Sequence, residues 1–374
     1  MRTGFCNILA ASAGIGLWLW AVIAPAWTIT DLGVLSGTAG CKAKAINNLG
    51  QVVGYCSTPS EEHAFLWSHD AGMIDLGRLP GWSSSQALAI NDRGQVVGCT
   101  TEPSRLEDPS AAFVWTSAGG MQGLTPARTR SCAVGINNAG QIVGSVYLSD
   151  GRSRAIVWST AGMRDLGTPP GWKDSAATSI NDRGLIVGSA QMPPLAHTFL
   201  LSGGMRDLGG VGDANGIFSS YASSINNRGD VVGASAGGNY TTTRYEAVQW
   251  SGGKLTRLAR LPDDYHSGPT FFSWAHDIND KRQAVGYVNR RVGQLAVLWV
   301  DGAVVNLSAL PEVTAAGWEA LREATAINNT GQIVGWGSTS SGWRAFLLSP
   351  GRVPARASEA QEHPRPSAAR GGWR

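Results

Sequence analysis

Short apolar runs alternate with turns rich in Gly, Asn and Asp along most of the chain. The string Ile-Asn-Asn-x-Gly-Gln-Val-Val-Gly occupies Ile46–Gly54 and returns in variants that begin at Ile90, Ile136, Ile180, Ile225, Ile278 and Ile327. Each copy is followed by a third apolar run such as Ala64–Trp67, and then by a Gly-bearing turn and a fourth run such as Gly72–Gly77. Asn or Asp before Gly supplies the positive φ that a tight hairpin needs. The pattern predicts four short strands per unit, and without any sustained helical period it indicates an all-β fold.

The phase of the repeat predicts a closed ring. Residues Trp27–Gly33 form an isolated fourth run, whereas the last unit stops at Leu348 after its third run. Each type of strand occurs equally often only if the first strand completes the last unit. We therefore predict a seven-bladed β-propeller of four-stranded blades, closed by its N-terminal strand, with residues 27–349 as one domain.

The two ends of the chain differ from the repeats. In residues 1–26, Arg2 precedes an apolar run from Ile8 to Ile23, and Ala24-Pro25-Ala26 matches a signal-peptidase site. We expect a cleaved signal peptide, with an uncleaved anchor as the alternative, and hence a secreted protein, extracellular or periplasmic. Residues 350–374, rich in Pro, Arg and Ala, are expected to be a disordered basic tail, solvated or bound to an acidic polymer.

Composition narrows the class of protein. The chain has 374 residues, of which 49 are Gly and 15 are Trp, and its net charge is +3. More than half of the glycines punctuate the repeated unit, in the turns and after Val-Val, so the excess does not indicate low complexity. The near-neutral balance argues against a nucleic-acid partner. We expect a monomer with no stable membrane insertion after signal cleavage.

The repeat resembles the HAF-repeat family of bacterial "probable extracellular repeat" proteins. His63-Ala64-Phe65-Leu66-Trp67 matches the signature of that family, as do the Ile-Asn-Asn-x-Gly-Gln-Val-Val-Gly and Gly-Met-x-Asp-Leu-Gly elements. The resemblance covers essentially all of residues 27–349 and implies an exported β-rich repeat protein. It implies no activity and no catalytic residue, and the signature His is retained only at His63 and His197.

Candidate ligand-binding residues lie in the longer loops. In strands ordered from centre to rim, the short repeated turns fall on one side of the propeller and the variable loops on the other. Aromatic residues there could stack on sugar rings or capture a protein partner: Trp82, Trp172, Tyr265, Phe271, Phe272, Trp274 and Trp318. Because Gly-Trp recurs at Trp82, Trp172 and Trp318, we favour a structural plug between blades for those three. The segment from Tyr265 to Trp274 is unique and is the better ligand-facing candidate.

Candidate catalytic residues are confined to the sixth unit. Asp277 occupies a position that is small in every other unit, and His276 precedes it. The pair could act as a general base with its orienting acid, or help to ligate a metal; the alternative is a structural Asp paired with a nearby Arg or Lys. No second cluster at ligand spacing, no Gly-x-Ser-x-Gly, no His-Glu-x-x-His and no P-loop accompany them. We therefore expect no metal and no cofactor.

Four cysteines follow the predicted signal peptide, an even number that favours disulfides in an exported chain. Counting back from the first hairpin turn places Cys41 opposite Cys56, as a staple of that hairpin. Cys99 and Cys132 end and begin strands of neighbouring blades on the same side, which predicts a bridge between blades. Free thiols are the alternative.

These observations favour a non-enzymatic binding propeller that recognises an extracellular glycan or protein ligand through its variable loops. One alternative is a carbohydrate-active hydrolase or lyase that uses carboxylates on the same side. Another is a purely structural extracellular repeat protein.

Overall fold

The computed structural model describes residues 27–102, 110–126, 129–192, 195–212, 216–237, 245–261, 272–290 and 293–351. The predicted signal peptide, Tyr265, Phe271 and most of the C-terminal tail lie outside these residues. Blade 1 contains β2 (Gly40–Ile46), β3 (Val52–Ser57), β4 (Glu62–Ser68) and β5 (Gly72–Asp75). Blade 2 contains β6 (Ser84–Ile90), β7 (Val96–Thr101), β8 (Ser110–Thr116) and β9 (Gly120–Gly123). Blade 3 contains β10 (Ser131–Ile136), β11 (Ile142–Tyr147), β12 (Ser153–Ser159) and β13 (Gly162–Asp165).

Blade 4 contains β14 (Asp174–Ile180), β15 (Ile186–Met192), β16 (Leu195–Leu201) and β17 (Met205–Asp207). Blade 5 contains β18 (Phe218–Ile225), β19 (Val231–Gly237), β20 (Glu246–Ser251) and β21 (Lys254–Arg257). Blade 6 contains β22 (Ser273–Ile278), β23 (Ala284–Arg290), β24 (Gly293–Val300) and β25 (Ala303–Asn306). A 3-10 turn (Leu307–Ala309) and helix α1 (Pro311–Ala315) lead into blade 7, which contains β26 (Trp318–Ile327), β27 (Ile333–Thr339) and β28 (Gly342–Pro350).

The N-terminal strand closes the ring. Strand β1 (Trp27–Asp31) pairs antiparallel with β28, from Trp27 opposite Pro350 to Asp31 opposite Phe346, and so becomes the fourth strand of blade 7. The prediction of seven four-stranded blades closed in this way is confirmed. We call the junction of blades 7 and 1 the seam, because the two ends of the propeller meet there.

The hydrophobic core is divided among the junctions between blades. Each cluster of buried side chains joins two neighbouring sheets, as where Val53 and Leu66 of blade 1 pack with Phe113 of blade 2. Hydrogen bonds cross the same junctions: Ser85 Oγ accepts from the Ala64 N–H, and Ser131 Oγ accepts from the Ala112 N–H. Both faces of a sheet are therefore buried, which explains why the middle of a strand such as β4, from Ala64 to Trp67, is continuously apolar.

The glycine of Val-Val-Gly lies inside the second strand, and the expectation that it punctuates the chain is wrong. In β3, a Cβ on Gly54 would lie 2.0 Å from the carbonyl oxygen of Lys42. The same clash, at 1.9 to 2.1 Å, recurs at Gly98, Gly144, Gly188, Gly233, Gly286 and Gly335. The cause is a bulge in the first strand, as between Ala43 and Ala45, which presses a carbonyl against the second strand.

Two disulfides are present, as predicted. Cys41 and Cys56 face each other on β2 and β3, and Cys99 of blade 2 bridges to Cys132 of blade 3. Structural disulfides are typical of proteins that fold outside the reducing cytosol. In the described residues no helix is long and apolar enough to cross a membrane.

Candidate functional site: the two ends of the central channel

The first strand of every blade lies nearest the axis, and the turn that follows it surrounds one end of a central channel. In blade 1 the side-chain oxygen of Asn47 accepts from the N–H groups of Leu49 and Gln51, which fixes the turn. Its amide nitrogen donates to Gln51 and, across the junction, to the carbonyl oxygen of Asn91 in blade 2. The equivalent asparagines repeat this bond around the ring at 2.8 to 3.1 Å, back to Asn328 donating to the Asn47 carbonyl.

A second ring, one residue further along, alternates amides with carboxylates. Its members are Asn48, Asp92, Asn138, Asp182, Asn227, Asp280 and Asn329. Asp92 Oδ2 accepts from the amide nitrogens of both Asn48 and Asn138, at 3.0 Å each. Burial would raise the pKa of Asp92, but these bonds and the Asn48 N–H lower it. Because the ring has an odd number of members, the alternation fails once, between Asn329 and Asn48 at the seam.

The rings surround a polar cavity of about 200 Å³, and Asp277 lines its wall. Asp277 Oδ1 accepts from Ser224 Oγ at 2.6 Å and from its neighbour's N–H, and Oδ2 accepts from the Ile327 N–H at 2.9 Å. Its carboxyl thus joins blades 5, 6 and 7, and burial raises its pKa. Within the described residues, Asp277 is therefore held by a serine and two backbone N–H groups. The arginine or lysine partner that the sequence offered as an alternative is not among them.

The opposite end of the channel holds chemistry that the repeat does not share. Three residues before the conserved Ile, every blade has Ala: Ala43, Ala87, Ala133, Ala177, Ala222, Ala275 and Ala324. One residue earlier the side chain varies, and it faces an equally variable partner on the second strand. The pairs are Lys42 with Tyr55, Gln86 with Cys99, Cys132 with Ser145, Ala176 with Ser189, Tyr221 with Ala234, Trp274 with Tyr287, and Glu323 with Trp336.

Charged and aromatic members of these pairs gather at blades 6, 7 and 1. Glu323 Oε1 lies 2.8 Å from His276 Nε2, and its Oε2 accepts from Trp336 Nε1 at 2.7 Å. Burial by itself would raise the pKa of Glu323, but His276, Lys44 and Trp336 lower it to about 2. Glu323 is therefore a carboxylate at neutral pH. We call Lys42, Lys44, Tyr55, His276, Tyr287, Glu323 and Trp336 the seam cluster.

The two tyrosines of the seam cluster stay protonated. Burial, together with the charges of Glu62 and Glu323, raises the pKa of Tyr55 to about 12. Burial and Glu323 also raise the pKa of Tyr287. Both phenols can therefore donate hydrogen bonds to a ligand at neutral pH.

An aromatic group adjoins the seam cluster at blades 5 and 6. The rings of Tyr221, Tyr245 and Trp274 lie within 5.6 to 5.8 Å of one another, and Phe272 stacks on Tyr245 at 6.2 Å. Trp274 Nε1 donates to Ser223 Oγ at 2.8 Å. We call these four residues the aromatic arc.

Other residues singled out by the sequence lie elsewhere. Trp318 is buried and packs edge-on against Phe346, 6.0 Å between ring centres. Trp82 packs into the core between blades 1 and 2, and Trp172 into the core between blades 3 and 4. These contacts are those of plugs between blades. Phe272 and Trp274, by contrast, meet in the aromatic arc.

The acidic neighbour of His276 in the structure is Glu323, whereas the sequence offers Asp277 as a candidate for that role. Asp277 faces the cavity, whereas the imidazole lies against Glu323 of the next blade. Sequence reasoning missed Glu323, Lys42, Lys44 and both tyrosines. Aligning the seven first strands on their Ile reveals Lys42, Lys44 and Glu323, because their chemistry departs from a repeat whose neighbouring position is always Ala. Tyr55 and Tyr287 lie on second strands and follow only from the pairing of the strands. In the part of the chain that the structure describes, no group of three His, Cys, Asp or Glu side chains could hold a metal ion.

A family model described as a protein of unknown function (DUF3466) matches residues 211–344, less than half of the chain. A search of curated proteins gave no match.

Three solved structures are similar in fold. Virginiamycin B lyase from Staphylococcus aureus is 11% identical, with a TM-score of 0.51 over 86% of this chain and 99% of that one. Oligogalacturonate lyase from Vibrio parahaemolyticus is 10% identical, with a TM-score of 0.55 over 86% and 93%. The β-propeller domain of the Trilobed protease from Pyrococcus furiosus, described as having an open velcro topology, is 12% identical, with a TM-score of 0.53 over 83% and 96%. At these identities the likeness concerns the fold alone.

Proposed function

We propose that this protein is an exported, non-enzymatic binding propeller that recognises a glycan at the seam cluster and the adjoining aromatic arc. One observation carries the proposal: variable positions of an otherwise uniform repeat hold aromatic and charged side chains in blades 5, 6, 7 and 1. The same positions in blades 2 to 4 hold Gln86, Ala176, serines and a disulfide. A purely structural ring would have no reason for this asymmetry. Export and membership of the HAF-repeat family are parts of the same proposal.

The side chains present suit a sugar. Trp343 is 49% exposed and packs against Trp336 with 4.8 Å between ring centres, so one indole faces solvent beside the seam cluster. Aromatic faces bind the apolar faces of sugar rings, while neutral phenols and a carboxylate hydrogen-bond to hydroxyl groups. A glycan fits this mixture of rings and polar groups better than a flat protein surface does.

A test of this site uses Trp343→Ala, because the exposed indole can be removed without opening the core. We expect the purified chain to bind a member of a panel of neutral and acidic polysaccharides, and Trp343→Ala to weaken that binding about tenfold, measured by calorimetry. Leu49→Ala is the matched control, since Leu49 is 70% exposed at the opposite end of the channel. Binding that is lost equally in both variants, or in neither, would exclude the site.

Catalysis is the second candidate, favoured by the pair of His276 and Glu323. His276 Nε2 lies 2.8 Å from the ionised carboxylate of Glu323, the distance between a general base and its orienting acid, although Nε2 makes no hydrogen bond within the described residues. Cleavage of the bound polysaccharide can be measured as new reducing ends or as unsaturated products. Catalysis would be supported if the natural chain cleaved the polysaccharide and His276→Ala abolished turnover but kept binding. Unchanged chain length after prolonged incubation would favour binding alone.

A further inference from the structure

We propose that the glycan is acidic, and that Lys42 and Lys44 bind its anionic groups. The inference rests on the proposed function and adds the chemical class of the ligand. It follows from the balance of charge around the seam. Glu323, Glu62 and Glu61 already have partners, whereas Lys42 and Lys44 are not paired with any carboxylate of the described residues.

The two lysines lie on the same strand, β2, and each approaches an aromatic ring. Lys42 Nζ is 4.5 Å from the ring centre of Trp336, and Lys44 Nζ is 5.8 Å from that of Tyr55. Among the described residues, neither ammonium group has a carboxylate oxygen within 4.0 Å. An ammonium group held over a ring keeps donors free for an anion.

The carboxylates near the lysines are committed to other groups. Glu323 is held by His276 and Trp336, so the charge of Lys44 reaches it only from a distance. Glu62 accepts a hydrogen bond from Gln86 Nε2, and Glu61 is paired with Arg78 at 2.9 Å. These contacts leave Lys42 and Lys44 as the charged groups that can pair with an anionic group of the ligand.

Anionic groups complete this arrangement. Carboxylates and sulfates accept strong charge-assisted bonds from ammonium and guanidinium groups, and the uronate or sulfated rings of an acidic glycan also stack on indoles. A neutral glycan would leave the ammonium groups of Lys42 and Lys44 unused. The acidic ligand therefore uses both features of the site, the rings and the cations.

The experiment compares ligands that differ in charge and share a backbone. Alginate is compared with its propylene glycol ester, and dextran sulfate with dextran, by calorimetry on the purified chain. We expect the charged member of at least one pair to bind about tenfold more tightly than its neutral partner, with an affinity that falls as salt rises. Changing Lys42→Gln and Lys44→Gln together should remove that preference.

Control variants separate charge from folding. Lys42→Arg with Lys44→Arg should retain the preference, and Lys254→Gln, at an exposed position on the outer strand of blade 5, should not alter it. Equal binding within both pairs, or a preference that survives the two Gln changes, would overturn the inference and leave the proposed function standing. Failure of every polysaccharide to bind would instead overturn the proposed function, and the inference with it.

Discussion

Single glycines determine how close two strands of a blade can approach. A Cβ on Gly188 would lie 2.1 Å from the Ala176 carbonyl oxygen and 2.6 Å from Phe199 Cζ, both in the same blade. Gly188→Ala should therefore cost about 3 kcal/mol of unfolding free energy, because backbone and a buried ring must move. Urea denaturation measures the change.

Gly204→Ala is the matched control in the same blade. A Cβ on Gly204 meets no atom within 4 Å, and its φ is not in the left-handed region. This variant should change the free energy of unfolding by no more than about 0.5 kcal/mol. Equal effects of the two substitutions would show that the clash is relieved at little cost.

The role of these glycines could not be read from the sequence. Val-Val-Gly repeats with the turns, so the sequence favours a place for Gly54 between strands, although it lies inside β3. The reason it must be Gly is the bulge on the neighbouring strand, and a Gly inside a strand run indicates a close approach without showing which strand carries the bulge. The cysteine pairs were predictable, because each pair lies at matching positions of strands that the repeat itself places side by side.

At the level of elements, the turns after the first strands form a ring stabilised by alternating donors and acceptors. Asp92→Asn puts an amide donor where two neighbouring amides now donate to Asp92 Oδ2. It should lower the free energy of unfolding by about 1 to 3 kcal/mol, even though it removes a charge from a ring of carboxylates.

The comparison uses thermal denaturation, with Asp150→Asn as the control. Asp150 is an exposed turn residue whose side chain accepts from the Arg152 N–H and pairs at 3.5 Å with the exposed Arg152 side chain, so its change should be small. If Asp92→Asn raised the melting temperature, repulsion between the carboxylates would outweigh their hydrogen bonds, contrary to our reading of the ring.

At the level of the whole molecule, the sequence predicts the closed ring but not the gathering of charged and aromatic side chains on one part of it. Blade number, strand order and closure by β1 follow from the count and phase of the repeat. The seam cluster does not. Glu323 of blade 7 lies against His276 of blade 6 across a junction, and the charge of Lys44 in blade 1 acts on Glu323 from a distance only once the ring has closed. Contacts between residues at opposite ends of the sequence carry no local signal.

The same geometry makes the seam sensitive to acid. The pKa of Glu323 falls from 4.5 to about 2 on folding, so the carboxylate contributes stability above pH 4.5 and loses it as the pH falls toward 2. A shift of this size corresponds to about 3 kcal/mol at neutral pH. Glu323→Gln keeps the shape of the side chain and removes its charge, so it should be less stable than the natural chain by up to that amount at pH 6.

Measuring urea unfolding of both proteins between pH 6 and pH 2 separates this effect from general acid denaturation, since all other groups are shared. The difference in unfolding free energy should shrink steadily below pH 4.5 and vanish near pH 2. A difference that stayed constant over this range would mean that the amide fails for steric reasons and that Glu323 owes nothing to its charge. Glu323 belongs to blade 7, and the charged groups that lower its pKa, His276 and Lys44, belong to blades 6 and 1. We therefore expect loss of the Glu323 charge to loosen the junctions on both sides of blade 7, the blade that closes the ring.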